Sequence, residues 1–314
     1  MTREHLKAKL RGCYVTVPTM FRDPDLDLNL DAMRRHVRFL LAGGLREGNA
    51  VLLAGGAAGD FSTMSFDERM QVAETVIAAA DGQLPVAVGV QTTNTRELIE
   101  LAAGAQRLGA SFMQVSPPFY HAHTESDFLE YVAAASNAAP DVGVIVYNTY
   151  WTSRGVSSSM IERLLDLPNM VGLKWATPDR GQMEFESVVA HFADQLAVID
   201  NQCRFVVSHL LGACSIEVHI CNHWPQWGVR VFRMLEERRY QEVQSELMKV
   251  VVPYMQLWAE MEQFTSGDGY LDKLCMELVG LDSSRCRPPT QDVRERFREQ
   301  ARQMLIDTGT PGVK

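Results

Sequence analysis

Met170-Val171-Gly172-Leu173-Lys174-Trp175 is an apolar run carrying a single lysine near its end, set between Leu167-Pro168-Asn169 and Ala176-Thr177-Pro178-Asp179. Branched and aromatic side chains bounded by turn residues predict a buried strand. Side chains alternate along a strand, so Val171, Leu173 and Trp175 are expected on one face, Gly172 and Lys174 on the other. Burying an ammonium is costly, and desolvation favours the neutral amine. A neutral amine attacks a carbonyl carbon to form an imine, which makes Lys174 a candidate Schiff-base nucleophile. The plainer alternative is a strand-end lysine whose head reaches back to solvent.

Working outward from that strand, the same alternation recurs. Cys13 to Val17, Ala50 to Ala54, Pro85 to Val90, Ser111 to Val115 and Val142 to Tyr147 read as the five strands before it. Gln195 to Ile199 and Ala213 to Cys221 read as the two after it. Helical periodicity lies between them at Asn29 to Leu41, Phe66 to Ala80, Thr95 to Leu108, Glu125 to Ala135, Ser157 to Leu165 and Arg204 to Leu211. Each parallel crossover needs a helix, and eight strand-helix units of roughly 25 to 30 residues suit a closed (β/α)8 TIM barrel. An open doubly wound sheet would alternate too. Asn94, Tyr147 and Lys174, however, fall at or just past strand ends, and a barrel gathers such residues at one mouth. Beyond Trp224-Pro225 the strands stop, and Val231 to Arg239, Gln241 to Gln263, Tyr270 to Val279 and Gln291 to Ile306 read as helices. The expected division is a catalytic α/β barrel over 1–236 and a C-terminal helical region over 237–314.

Composition bounds the partners. The chain has 314 residues, is 46% hydrophobic and 22% charged, and carries a formal net charge of −9. An acidic balance argues against a phosphate-binding surface, so nucleic acid is not an expected partner. The six cysteines contain no C-x-x-C pair, the start of the chain has no apolar signal core, and no run approaches a membrane span. A cytoplasmic enzyme with free thiols is the expectation.

Several stretches share one order. Gly172-Leu173-Lys174 is similar to a Gly-Ile-Lys motif and Tyr147-Asn148 to a Tyr-Asn motif 27 positions earlier. Gly56-Ala57-Ala58-Gly59-Asp60 stands in the place of Gly-Thr-Thr-Gly-Glu, followed by Asp67-Glu68-Arg69. Ser116-Pro117-Pro118-Phe119-Tyr120, Asn222-His223-Trp224-Pro225, Lys273 before Gly280, and Arg287-Pro288-Pro289 complete the series. With these landmarks the chain resembles the dihydrodipicolinate synthase and N-acetylneuraminate lyase family along nearly its whole length. The resemblance implies a (β/α)8 barrel with a C-terminal helical extension and usually a homotetramer. It also implies a lyase of the pyruvate class I aldolase type. On that basis Lys174 forms the imine, Tyr147 carries protons, and Gly56, Ala57 and Ala58 hold the substrate carboxylate. Tyr120 falls on the tyrosine that a neighbouring subunit receives. No metal or organic cofactor is implied, because the covalent lysine imine is itself the electron sink.

The departures matter as much. Two hydroxyls of the family loop are replaced by Ala57 and Ala58, although small residues leave backbone N–H groups exposed as an anion nest. After Tyr147-Asn148 the run Thr149-Tyr150-Trp151-Thr152-Ser153-Arg154 lacks the family's proline and shifts its arginine, which argues against aspartate semialdehyde as acceptor. Alignment through Gly212-Ala213 puts Asp200 where a glycine often stands beside the imine and Glu217 where an apolar residue is usual. By alternation Ser215, Glu217, His219 and Cys221 share a face, and the apolar set Ile216, Val218 and Ile220 belongs against the helices. Glu217 and His219 are therefore expected to point inward, where charge must be paired.

Asp200 and Glu217 are candidate substrate-binding or proton-shuttling carboxylates, with a structural ion pair as the alternative. His219-x-Cys221-x-His223 and His121-Ala122-His123 lack the spacing of a four-ligand zinc site. The Ala54 to Gly59 run lacks the lysine and hydroxyl of a P-loop. The expected activity is carbon-carbon cleavage or formation between a 2-oxo acid and an aldehyde or related acceptor in a homo-oligomer. An imine-dependent dehydratase or hydratase-aldolase, and a barrel that has lost catalysis and serves as a scaffold, are the alternatives.

Overall fold

Eight parallel strands close on themselves in chain order: β1 (Gly12–Thr16), β2 (Ala50–Ala54), β3 (Val86–Gly89), β4 (Phe112–Val115), β5 (Gly143–Asn148), β6 (Met170–Trp175), β7 (Ala197–Asp200) and β8 (Ser215–Glu217). The last pairs with the first through Tyr14 and Glu217. This computed structural model describes residues 2–149, 155–178 and 183–314.

Helices enclose the barrel: α1 (Arg3–Lys9), α2 (Leu30–Ala42), α3 (Phe66–Ala80), α4 (Thr95–Arg107), α5 (Glu125–Ala138), α6 (Ser158–Leu164), α7 (Glu184–Phe192), α8 (Phe205–Leu210) and α9 (Pro225–Glu236). Their starts are set by local chemistry. Ser65 accepts from the Glu68 amide while Glu68 reaches back to the Ser65 amide, and Thr124 and Asp127 repeat this reciprocal arrangement on α5. Pro225 opens α9, where a missing N–H costs nothing.

Past the barrel come α10 (Tyr240–Glu246), α11 (Val252–Met261), α12 (Tyr270–Leu278) and α13 (Arg294–Thr308). The single helix expected over Gln241 to Gln263 is interrupted by a wide turn at Leu247–Val251. Pro253 follows it, and a proline withholds the N–H that a regular turn requires. Two further helices are absent from the sequence reading, namely α1 and α7.

The interior divides into two apolar layers. Val15, Leu52, Val88, Leu173, Trp175 and Val198 face the helices, whereas Tyr14, Leu53, Ala87, Phe112, Ile145 and Ile199 fill the barrel. Leu6 of α1 and Leu10 join the inner set and form its floor. A side chain at Gly172 would collide with Leu10, so only glycine lets the floor rise against β6.

β6 departs from simple alternation. Its register against β5 runs Val144 with Met170, then Ile145 with Gly172, so Val171 is an extra residue. A bulge of this kind resets the faces. Val171 consequently packs with the inner layer instead of beside Leu173 and Trp175, while Lys174 keeps its inward direction.

Candidate active site

The barrel fold delivers Lys174 to the C-terminal mouth one residue before β6 ends, with Tyr147 as its register partner on β5. The lysine side chain is 5% exposed, and Nζ lies 4.7 Å from the Tyr147 ring centre and 5.2 Å from that of Tyr14. It is not left in an apolar surround. Glu217 Oε2 lies 2.7 Å from Nζ. The expectation of a lysine in an apolar surround therefore gives way to one seated against a carboxylate, because β8 brings an acid to the same depth.

Glu217 is fixed from a second side, where the Thr16 hydroxyl donates to Oε1 at 2.9 Å. Thr16 in turn borders the glycine loop, since a side chain at Gly56 would meet its methyl at 2.7 Å. The loop is compact: Gly59 N–H donates to Gly56 C=O and Asp60 N–H to Ala57 C=O, each at 3.0 Å. Gly56 thus stands next to the lysine's partner through Thr16, Ala57 and Ala58 follow it in the same turn, and Gly269, leading into α12, backs onto the Ala58 carbonyl.

Burial holds the Tyr147 phenol well above its ordinary range, and the charge on Glu217 raises it further. Asn201 Nδ2 donates to its oxygen at 3.4 Å. Tyr14, whose hydroxyl donates to Gln114 at 3.0 Å, is held up for the same two reasons, burial first. Both phenols keep their protons at neutral pH.

Other expected residues lie elsewhere. Asp200 pairs in register with Trp175, which faces the helices, so its carboxylate turns away from the amine. It accepts from Ser208 Oγ and from the Gln202 amide, each at 2.7 Å, at the start of α8. Burial pushes it up to about 6. His219 is not on β8, which ends at Glu217; the chain then winds into a short tight helix, His219–Asn222. There His219 Nδ1 contacts Asp272 Oδ2 at 2.9 Å. Burial would lower this imidazole, yet the charge and hydrogen bond of Asp272 carry it up to about 9.

His219 and His223 stack on Tyr254, and Cys221 packs against Gly228, so these three do not converge as ligands. Among the described residues no group of three His, Cys, Asp or Glu side chains is arranged to hold a metal ion. Tyr120 is 86% exposed, with φ of 87°, and its ring meets His121 edge-on. Tyr150, Trp151 and the shifted Arg154 lie outside the described residues.

Thr16, Asn201 and Tyr14 escaped the sequence reading. Tyr14 and Thr16 alternate correctly with Val15 on β1, so the inward face was available to find them.

A family model described as the dihydrodipicolinate synthetase family matches residues 9–307. The chain belongs to that family. A relative from Methanospirillum hungatei named 4-hydroxy-tetrahydrodipicolinate synthase is 26% identical over 298 residues, covering 94% of this chain and 98% of its own. Among solved structures, YagE, a prophage protein of the dihydrodipicolinic acid synthase family from E. coli in complex with pyruvate, superposes with a TM-score of 0.85. It is 22% identical, covering 96% of this chain and 99% of its own. N-acetylneuraminate lyase from Fusobacterium nucleatum has a TM-score of 0.81 at 18% identity, with 97% and 99% covered. Likeness at such identities carries the fold, and the family match carries membership. As a family member the protein is an enzyme, a class I lyase working through a Schiff base with pyruvate or a 2-oxo acid. Among the described residues no helix is long and apolar enough to cross a membrane.

Proposed function

We propose that Lys174 is the imine-forming residue and that Tyr147 moves the proton as a carbon-carbon bond is made or broken through the enamine. The observation that carries this reading is the inward amine at the mouth end of β6, faced by the Tyr147 ring at 4.7 Å and by a carboxylate at 2.7 Å. In the imine, nitrogen draws electrons from the adjacent bond, so no separate electron sink is needed. The amides of Gly56, Ala57 and Ala58 hold the 2-oxo acid carboxylate. The second substrate is an aldehyde or related acceptor that meets the enamine from solvent.

Tyr120 supports an oligomer in which the site is shared. An exposed tyrosine held at a positive φ, with its ring meeting His121 edge-on, spends backbone strain to point outward. Reaching a neighbouring copy's mouth explains that direction.

A hydro-lyase that keeps the same imine is the second reading, favoured by Glu217. An acid beside the imine nitrogen is close enough to help a hydroxyl depart from the substrate. Incubation with pyruvate and borohydride, then mass measurement of the Lys174 peptide, tests the shared step. An unmodified lysine rejects it. Free pyruvate among the products of a 2-oxo acid marks aldol cleavage, and loss of water from an intact carbon chain marks dehydration.

A further inference from the structure

We propose that Glu217 is a catalytic acid-base residue: it takes the proton that frees the Lys174 amine and returns it to the hydroxyl that leaves when the imine forms. This rests on the imine reading above and assigns the proton transfers which that reading leaves open.

Geometry selects Glu217. Among the described residues, the groups facing Lys174 Nζ are two aromatic rings, at 4.7 and 5.2 Å, and the Glu217 carboxylate at 2.7 Å. Tyr14 and Tyr147 both hold their protons, so neither serves as the resting base. The Thr16 hydroxyl occupies Oε1 and leaves Oε2 toward the amine. At 8% exposure Glu217 is shielded from bulk water, which makes a local exchange between ammonium and carboxylate the short route.

The steps balance. The Lys174 ammonium gives one proton to Glu217, producing a neutral amine and a carboxylic acid. The amine adds to the ketone carbon, and an N–H proton passes to the former carbonyl oxygen to give a neutral carbinolamine. Glu217 then protonates that hydroxyl; the C–O bond breaks, water leaves, and the nitrogen lone pair closes the C=N bond. The products are one iminium, one carboxylate and one water, with total charge unchanged. Reversal releases product by hydrolysis.

Glu217 feels other groups besides Lys174. Tyr14 on β1, Tyr147 on β5, Asp268 before α12, and Cys203, His219 and Cys221 all interact with its charge. The test must therefore read the pH profile as well as the rate. Wild type and Glu217→Gln are incubated as full chains with pyruvate and cyanoborohydride between pH 6 and 10, and the rate of mass gain on the Lys174 peptide is followed. Near neutrality the glutamine variant should trap about a hundredfold more slowly, and its rate should climb with pH as solvent takes over deprotonation. In Glu217→Ala, added formate should restore the rate at least about tenfold. Circular dichroism and melting show that each variant is folded. Should the glutamine variant fail to fold, Glu217→Asp, with its carboxylate drawn back, carries the comparison with an expected loss of about tenfold.

Trapping at the wild-type rate in Glu217→Gln overturns the proposal. A slow rate with the wild-type pH profile and no response to formate in Glu217→Ala overturns it as well. Wild type that gains no mass at Lys174 rejects the imine reading itself, a different result from either.

Discussion

Two lysines are buried against carboxylates at opposite sides of the glycine loop, and they are built differently. Lys273 Nζ lies 2.6 Å from Asp60 Oδ2, with exposures of 0% and 5%, and it also donates to the Arg285 carbonyl at 3.4 Å beneath the Phe21 ring. That ammonium is wrapped by a carboxylate, a carbonyl and an aromatic face, and it ties α12 to the loop after β2. Lys174 has a carboxylate on one side and two tyrosine rings on the others, at the open end of the barrel. Similar burial and nearly equal contact distances thus serve separate ends. An ammonium held between two oxygens deep in the fold makes a staple, whereas one set against a carboxylate at the barrel mouth keeps the nitrogen open to a carbon electrophile.

The sharpest way to break this contrast is Lys273→Met. It leaves Asp60 buried without its counter-ion and should cost about 3–5 kcal/mol in denaturant unfolding. The double variant Lys273→Met with Asp60→Leu should recover most of that loss, because removing both charges also removes the desolvation cost. A single variant that unfolds like wild type would show that the Lys273 pair is no staple.

A smaller effect comes from the pair that adjoins both regions, His219 with Asp272, the neighbour of Lys273. The folded imidazole is raised from an ordinary 6.5 to about 9. A raised histidine binds its proton more tightly in the folded state, so its stabilisation is complete below about pH 6.5 and disappears as the pH climbs through about 9. Unfolding free energies at pH 6.5 and 9.5 should differ by roughly 3 kcal/mol, and His219→Gln should flatten the slope. An unchanged slope in that variant assigns the dependence elsewhere.

The smallest effect is expected at Asp200. Its carboxylate is held by Ser208 of α8 and by the Gln202 amide on the helix side of the barrel, so Asp200→Asn should change the imine-trapping rate by less than about threefold, as distant independent sites do. A loss as large as that expected for Glu217 would return Asp200 to the site.

Where the sequence was legible, a local cause was present. Ala50–Ala54 and Phe66–Ala80 have the expected bounds because an apolar run of strand length and a reciprocal Ser65–Glu68 cap announce themselves. α1 hid because Leu6 is its buried residue, and α7 because Met183 opens it in a left-handed conformation without a side-chain cap. Alternation led correctly to an inward Glu217 but ran too far, since nothing in Val218-His219-Ile220 announces that the strand has ended. The extra residue at Val171 depends on the neighbouring strand, where a side chain at Gly143 would meet its methyl at 2.7 Å. The partnership of Glu217 with Lys174 joins strands two apart around the barrel, and no local pattern encodes it. Asp200 was drawn to the imine by alignment, while its register with Trp175 pointed the other way.

The leucine floor laid by α1 has one more effect. Leu6 and Leu10 pack with the inner layer and fill the far end of the barrel with apolar side chains. Under the imine reading, keto acid and water therefore exchange at the mouth that carries Lys174, the end opposite that floor.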